Sequence, residues 1–189
     1  MRNKVLSEIL ELTENELQTV LEQARHLEPK ALAKLSQYCY PRIFRYIYYR
    51  VNNSADVEDL VSEVCLKMVR SIQSQNGSFD AWIFRVASNV VTDYYRRRAV
   101  RRTVEPINDS IENVRDGTNE INNLLDHQEL RQMLAHLTDE QQQVIIFKFI
   151  EGYGNDEIAD MLGKSVEAVR ALQFRALTAL RKLLGEEKS

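Results

Sequence analysis

A chain of 189 residues has room for one large domain or two small ones, and its six glycines and three prolines leave little room for a turn-rich β architecture. The formal net charge of −3 excludes a surface that is basic throughout, so any contact with nucleic acid depends on local clusters of basic residues. No segment approaches the roughly 18 consecutive apolar residues of a membrane span, and the N-terminus lacks the pattern of a secretion signal. We therefore expect a cytoplasmic protein without membrane insertion.

The cysteines and histidines do not indicate a metal site or a catalytic centre. Cys39 and Cys65 lie in apolar helical patterns without a CxxC spacing, which predicts small buried side chains rather than a disulfide or a metal pair. His26, His127 and His136 have no ligand spacing, and the chain has no GxSxG, P-loop or HExxH motif. We expect no enzyme activity, no metal and no cofactor.

The first hundred residues have the periodicity of helices. Residues 3–28 form one or two helices, with Thr13 and Glu16 as a capping box, and Pro29 suits the first turn of the next helix. Further helices are expected over 30–52, from Ser54 or Asp56 to about Ile72, and from Phe79 or Asp80 to about Arg102, with a polar loop over 71–78.

Residues 103–126 differ from both flanking segments in composition. They contain Pro106, Gly117 and six acidic residues against a single arginine, which predicts a flexible acidic linker. The helical pattern resumes at Gln128, so we predict an all-α fold of two helical domains. The expected divisions are an N-terminal helical extension (1–28), a first domain (29–102), the linker (103–126) and a second domain (127–189). In the free protein, this linker would allow the two domains to fold against each other and mask basic surfaces.

Residues 155–170 carry the sharpest local pattern. Ala159 is small where two crossing helices approach closely, and Gly163 follows where the first helix should end. Asn155 and Ser165 can cap the first and second helices. This spacing fits a DNA-binding helix-turn-helix, whose second helix enters the major groove, and also an ordinary helical hairpin. The flanking basic side chains favour DNA binding.

The candidate groove and phosphate contacts of this second helix are Lys164, Ser165, Glu167, Arg170, Phe174 and Arg175. Arg170 and Arg175 could reach phosphates or guanine edges, and Glu167 could accept a hydrogen bond from cytosine. Phe174 either touches a thymine methyl group or belongs to the core.

A second basic cluster ends the helix that begins near Phe79, where five arginines fall within residues 94–102. Trp82 precedes it on a stripe that also holds an amide and cations, a combination typical of single-stranded DNA binding. A solvated basic face and a core tryptophan are the alternatives. The loop 71–78 could hold an unstacked base. The candidate residues are Asn76, Gly77, Trp82, Arg85, Asn89, Asp93, Arg96, Arg97, Arg98 and Arg101.

Taken in this order, these segments resemble the extracytoplasmic-function (ECF) group of bacterial sigma factors in the sigma-70 family. The similarity covers roughly residues 17–102 and 128–184. Residues 31–47 resemble the family's first conserved region, 56–67 its polymerase-docking helix, 79–98 its promoter-melting and −10-reading helix, and 137–184 its −35-reading fourth region.

The resemblance implies a protein that binds core RNA polymerase and directs promoter-specific initiation through −10 and −35 recognition and DNA melting. Its partners would be the coiled coil of the largest polymerase subunit, the polymerase flap, promoter DNA and an anti-sigma factor, which the N-terminal helix 3–12 could contact. The linker would thread toward the RNA exit path. The residues implied for docking on the coiled coil are Asp56, Asp59, Leu60, Glu63 and Leu66.

Two other classes of protein remain open on the residues alone. A helix-turn-helix repressor or activator would explain the C-terminal half, but not Trp82 with its arginine cluster. A helical adaptor with incidental basic patches would bind no DNA through Arg96, Arg97 and Arg98.

Overall fold

The computed structural model describes residues 12–51, 53–104 and 121–186, with side chains over 12–51, 53–100 and 127–185. Within these ranges the chain is helical and has no strand, which confirms the predicted all-α fold. The α-helices of the described ranges are α1 (Glu14–Arg25), α2 (Pro29–Arg50), α3 (Val57–Ser71), α4 (Phe79–Val104), α5 (Ile121–Leu134), α6 (Asp139–Ile145), α7 (Asn155–Leu162) and α8 (Val166–Glu186).

The N-terminal half packs α1, α2, α3 and α4 in sequence, each against the next. The capping box predicted for α1 is present: the Thr13 hydroxyl accepts from the Glu16 amide, and the Glu16 carboxylate accepts from the Thr13 amide. Pro29 occupies the first turn of α2, as predicted. Both cysteines are free, Cys39 buried and Cys65 half-buried, and burial raises the pKa of each thiol.

The helix boundaries lie close to those predicted and differ in detail. Asp56 is the N-terminal capping residue of α3, one of the two positions predicted, but its side chain makes no capping hydrogen bond. Asn53 caps the short 3-10 turn that precedes α3, with its side chain accepting from the Ala55 amide. The polar segment 71–78 contains a second 3-10 turn, Ile72–Ser74, so its non-helical part is residues 75–78. Helix α4 runs to Val104 and α5 begins at Ile121, so helices extend into both ends of segment 103–126; residues 105–120 lie outside the described ranges.

The C-terminal half contains the predicted helix-turn-helix, formed by α7 and α8. Gly163 ends α7 in the left-handed conformation, with φ 63° and ψ 40°, and the Ser165 hydroxyl caps α8 by accepting from the Ala168 amide. The prediction that Asn155 caps α7 is wrong. Gly154 is the capping residue, and Asn155 instead accepts a hydrogen bond from Gln173 of α8, which ties the two helices together.

A single core runs through both halves of the chain. The ring of Tyr46 on α2 stacks on Phe147 with centroids 5.3 Å apart, and Phe84 on α4 meets Phe147 edge-on at 5.0 Å. Phe147 lies in a π-helical turn, Ile146–Ile150, that continues α6. Phe149 is as apolar as its buried neighbours, but this turn points its side chain into solvent, where it is 59% exposed.

Candidate DNA and polymerase interface

Helix α8 separates an inward face from an outward face. Val169 and Ala176 are buried, and Val166 and Leu172 pack partly against the core. The outward face carries Glu167, Arg170, Ala171, Phe174 and Arg175, all exposed. Phe174 is 73% exposed, which excludes the core alternative for this residue. Exposed charged and aromatic side chains on the second helix of a helix-turn-helix are placed as groove contacts require.

Two predicted contact residues at the start of α8 have partners within the protein. The Lys164 ammonium lies 2.8 Å from a carboxylate oxygen of Glu140. Hydrogen bonds from the Glu167 amide and from Ser165, together with the charge of Arg170, lower the pKa of the Glu167 carboxyl. Glu167 is therefore an acceptor at neutral pH, the state needed to accept from cytosine.

The stripe on α4 has one end in the core and the other in solvent. Trp82 is half-buried, with its ring centroid 5.8 Å from that of Phe79, so it packs against the core and remains partly accessible to solvent. Arg85 and Asn89 are exposed. Further along, a groove between α3 and α4 brings Asn89, Asp93 and Arg96 together with Lys67 and Arg70.

Lys67 and Arg70 were not predicted as site residues. They lie on α3, in the segment whose resemblance implied polymerase docking, and only the packing of α3 against α4 brings them to this groove. In the sequence, these two basic residues lie three positions apart, a spacing that places both on one side of a helix. The groove therefore adds two cations to the arginines of α4.

The arginine cluster is partly neutralised by neighbours. Arg96 is 74% exposed and lies 3.6 Å from Asp93 one turn earlier. Arg97 pairs with Glu63 of α3 at 3.2 Å, and Arg98 donates to the Tyr94 hydroxyl. The side chain of Arg101 lies outside the described part of the chain. Exposed pairs of this kind are worth about 1 kcal/mol or less, so phosphates can displace them.

The loop 75–78 turns sharply at Gly77, whose φ of 71° favours glycine. Asn76 and Ser78 are exposed at its tip, with the Asn76 amide donating to the Ser74 carbonyl. Gln75, which was not predicted as a site residue, is buried beneath the loop.

The predicted docking residues of α3 fall on different faces. Asp59 and Leu66 are exposed, and Glu63 pairs with Lys67 and Arg97, which outweighs partial burial and lowers the pKa of the Glu63 carboxyl. Asp56 accepts from the Tyr94 hydroxyl at 2.7 Å. Leu60 does not fit the predicted docking role. It is 5% exposed and packs in the core, because it points toward the bundle one turn from Val57 and Val64.

Comparison with known proteins identifies the class of this fold and site. Residues 35–101 match the family description "Sigma-70 region 2", and residues 127–180 match "Sigma-70, region 4". The structure of CnrH, solved in complex with the cytosolic domain of CnrY, aligns with a TM-score of 0.71 at 22% identity, over 89% of this chain and 97% of that one. The shared fold is thus that of a two-region sigma-70 protein.

The sequence relatives narrow the class further. The ECF RNA polymerase sigma factor SigX of Bacillus subtilis is 31% identical over 156 residues, which cover 77% of this chain and 80% of that protein. The ECF sigma factor BldN of Streptomyces coelicolor is 31% identical over 173 residues, which cover 89% of this chain but 66% of BldN. The chain belongs to the ECF sigma factors of the sigma-70 family, as the resemblance implied.

Two features are absent from the described ranges. No group of His, Cys, Asp or Glu residues there is arranged to hold a metal ion. No helix there is long and apolar enough to cross a membrane.

Proposed function

We propose that this protein binds core RNA polymerase in the cytoplasm and directs initiation at promoters, reading the −35 element with α8 and an unpaired −10 strand with α4 and the loop 75–78. It supplies recognition and strand opening and has no catalytic activity of its own. The observation that supports this proposal is that one chain exposes two separate surfaces of different chemistry, each with cationic side chains beside an aromatic one.

The first surface suits double-stranded DNA. Arg170 and Arg175 are exposed on a helix of the width that the major groove admits, and arginine bidentate to guanine is the commonest specific contact there. The exposed ring of Phe174 lies between them and is available to a thymine methyl group. Glu167 adds an acceptor for cytosine.

The second surface suits an unpaired strand. The solvent-accessible part of the Trp82 ring is available for stacking on a base, and the groove lined by Lys67, Arg70 and Arg96 provides cations for the backbone. Asn89 at the groove wall offers an amide for a base edge. The region-2 domain 29–102 would thus bind single-stranded DNA, and the region-4 domain 127–189 would bind duplex.

Polymerase would dock on the exposed side of α3. Asp59, Leu66 and Val69 share one helical row, which combines an acid with two solvent-exposed apolar side chains. Such a row fits a partner with a basic rim and apolar pockets. We place the coiled coil of the largest subunit here, with the flap on the second domain, and leave Leu60 out of the contact because it is buried.

An anti-sigma factor is a further proposed partner. The sigma factor RpoE of Bartonella quintana, which shares this fold at a TM-score of 0.59 and 19% identity over 91% of this chain and 96% of that one, was solved with the anti-sigma factor NepR. The N-terminal segment 3–12 that we predicted as a contact lies almost wholly outside the described residues.

The packed arrangement of the two halves must open on promoter DNA. Two sites two helical turns apart are separated by roughly 70 Å, since one turn spans 34–36 Å. A compact chain of this length has a radius of gyration of about 16 Å and hence a diameter near 40 Å. Arg170 and Arg175 of α8 remain exposed when the two halves pack together. The packed arrangement therefore opposes promoter binding because it holds the two DNA-contacting surfaces too close together, and not because it covers α8.

Transcription from a randomised promoter library with core polymerase tests this function. We expect two enriched sequence blocks separated by a fixed spacer. Arg170→Ala should weaken the preference at one position of the upstream block about tenfold, because a bidentate base contact is worth roughly 1–3 kcal/mol. Arg181→Ala, an exposed arginine further along α8, is the matched control and should leave both blocks unchanged. A library without enrichment would contradict the proposal.

A further inference from the structure

Helix α1 reaches the loop that is proposed to hold an unpaired base. Its last residue, Arg25, donates from Nη2 to Oε1 of Gln75 at 2.6 Å, across 50 residues of sequence. Gln75 in turn donates from Nε2 to the Gly77 carbonyl oxygen at 2.8 Å. Two hydrogen bonds thus connect the end of α1 to the backbone of the loop 75–78. The region-2 similarity begins only at residue 35, after α1, so it assigns this helix no role.

The position of Arg25 is fixed by the helix that carries it. The capping box at Thr13 starts α1, and Val20, Leu21 and Ala24 bury one face of it against the domain. A tight turn ends the helix: Leu27 has a φ of 60°, uncommon for a residue with a side chain, and its amide donates to the Ala24 carbonyl. The guanidinium therefore emerges from a rigid element.

Gln75 depends on both of its bonds because it is 1% exposed. A buried amide left without a partner is costly, whereas the charged guanidinium provides a strong one. Since Arg25 can only donate, it holds the Gln75 oxygen on its own side and directs the nitrogen toward Gly77. The buried amide is thereby oriented, and with it the carbonyl at the residue where the loop reverses.

We propose that α1 acts as a brace for base recognition, in which Arg25 and Gln75 are positioning residues that hold Asn76 and Ser78 in place for one unpaired base of the −10 element. Neither touches the base itself. This inference rests on the proposed function and assigns the N-terminal extension a part in it. It also makes the choice of base at that position depend on a residue that precedes the segment matched to region 2.

The test uses the full chain with core polymerase and a promoter library randomised only in the −10 element. Arg25→Ala and Gln75→Leu should each lower the preference for the favoured base at one or two adjacent positions about tenfold, the size of one lost charged hydrogen bond. Preferences at the other −10 positions and at the −35 element should stay as in the unaltered protein. Arg25→Lys keeps a cationic donor and should restore a large part of the preference.

Lys30→Ala is the matched control, since it removes an exposed cation near the same end of α1 and should change no position. Because Arg25 is only half-buried at a helix end, its variants should fold, and their thermal midpoints are compared with that of the unaltered chain. An unchanged profile in both Arg25→Ala and Gln75→Leu, or an equal loss at every position, would overturn the brace. Failure of the unaltered chain to select any −10 base would instead overturn the proposed function.

Discussion

Arg45 and Glu151 form a two-pronged ion pair that joins the halves of the chain across 106 residues of sequence. The Arg45 Nε donates to Oε1 at 2.8 Å and Nη2 donates to Oε2 at 2.7 Å, while the Glu151 side chain is 2% exposed. Five residues further along α2, the buried guanidinium of Arg50 pairs with Asp139. Helix α2 thus holds the second half through ion pairs placed beside the Tyr46–Phe147 ring stack.

Arg45→Ala should loosen the packing between the halves. It leaves the Glu151 carboxylate buried without a cation, and breaking such a pair typically costs about 3–5 kcal/mol. We expect a larger radius of gyration by small-angle X-ray scattering than in the unaltered protein. Arg85→Ala removes an exposed arginine and serves as the control. Identical scattering from the Arg45 variant and the unaltered chain would show that the pair does not hold the halves together.

Alkaline pH should destabilise the fold through two buried tyrosines, Tyr38 and Tyr153. Burial, and then the charge of Asp80, raises the pKa of Tyr38 to about 12, and the same two causes raise the pKa of Tyr153. A raised folded-state pKa means that the neutral phenol stabilises the fold below pH 10 and that this stability is lost as the pH rises toward 12.

Urea unfolding between pH 9 and 12 measures this effect. The free energy of unfolding should fall steadily over the interval, with Tyr38 contributing on the order of 2 kcal/mol. Tyr38→Phe has no phenol to ionise and should give a shallower decline. If both proteins decline with the same slope, Tyr38 does not titrate as described.

Trp82→Ala should impair strand opening and leave duplex binding by α8 intact. Stacking on an aromatic side chain is worth roughly 1–3 kcal/mol per base, so the reactivity of unpaired thymines toward permanganate should fall severalfold or more. Trp82→Phe retains an aromatic ring, so its permanganate reactivity should lie between that of the alanine variant and that of the unaltered protein. Because Trp82 also packs on Phe79, thermal midpoints are measured alongside. Full permanganate reactivity in the alanine variant would remove Trp82 from the melting surface.

Sequence reasoning succeeded where the determinants are local. Gly163 and Ser165 act through the backbone within a few residues of themselves, so their spacing predicted the turn and the start of α8. The Thr13 capping box was predictable for the same reason. Asn155 was misplaced by one residue, since Gly154 can cap a helix without a side-chain acceptor.

The predictions failed or fell short where long-range contacts decide. Leu60 shares a helix with exposed Asp59, and only the packing of α3 in the bundle shows which of them is buried. Phe149 is apolar and would suit the core, but the π-helical turn that carries it directs its side chain into solvent. The pairing of Arg25 with Gln75 joins residues 50 apart, a distance at which no periodic pattern operates.

Run-off transcription with core polymerase on promoters of varied spacer length tests most directly the claim that one half reads duplex while the other reads an unpaired strand. On the selected promoter we predict a single defined RNA start that requires this protein. Changing the spacer by about 5 bp rotates one element to the opposite side of the helix and should abolish most of the product. Equal yields at every spacer length, or no defined start on any template, would contradict the two-surface mechanism.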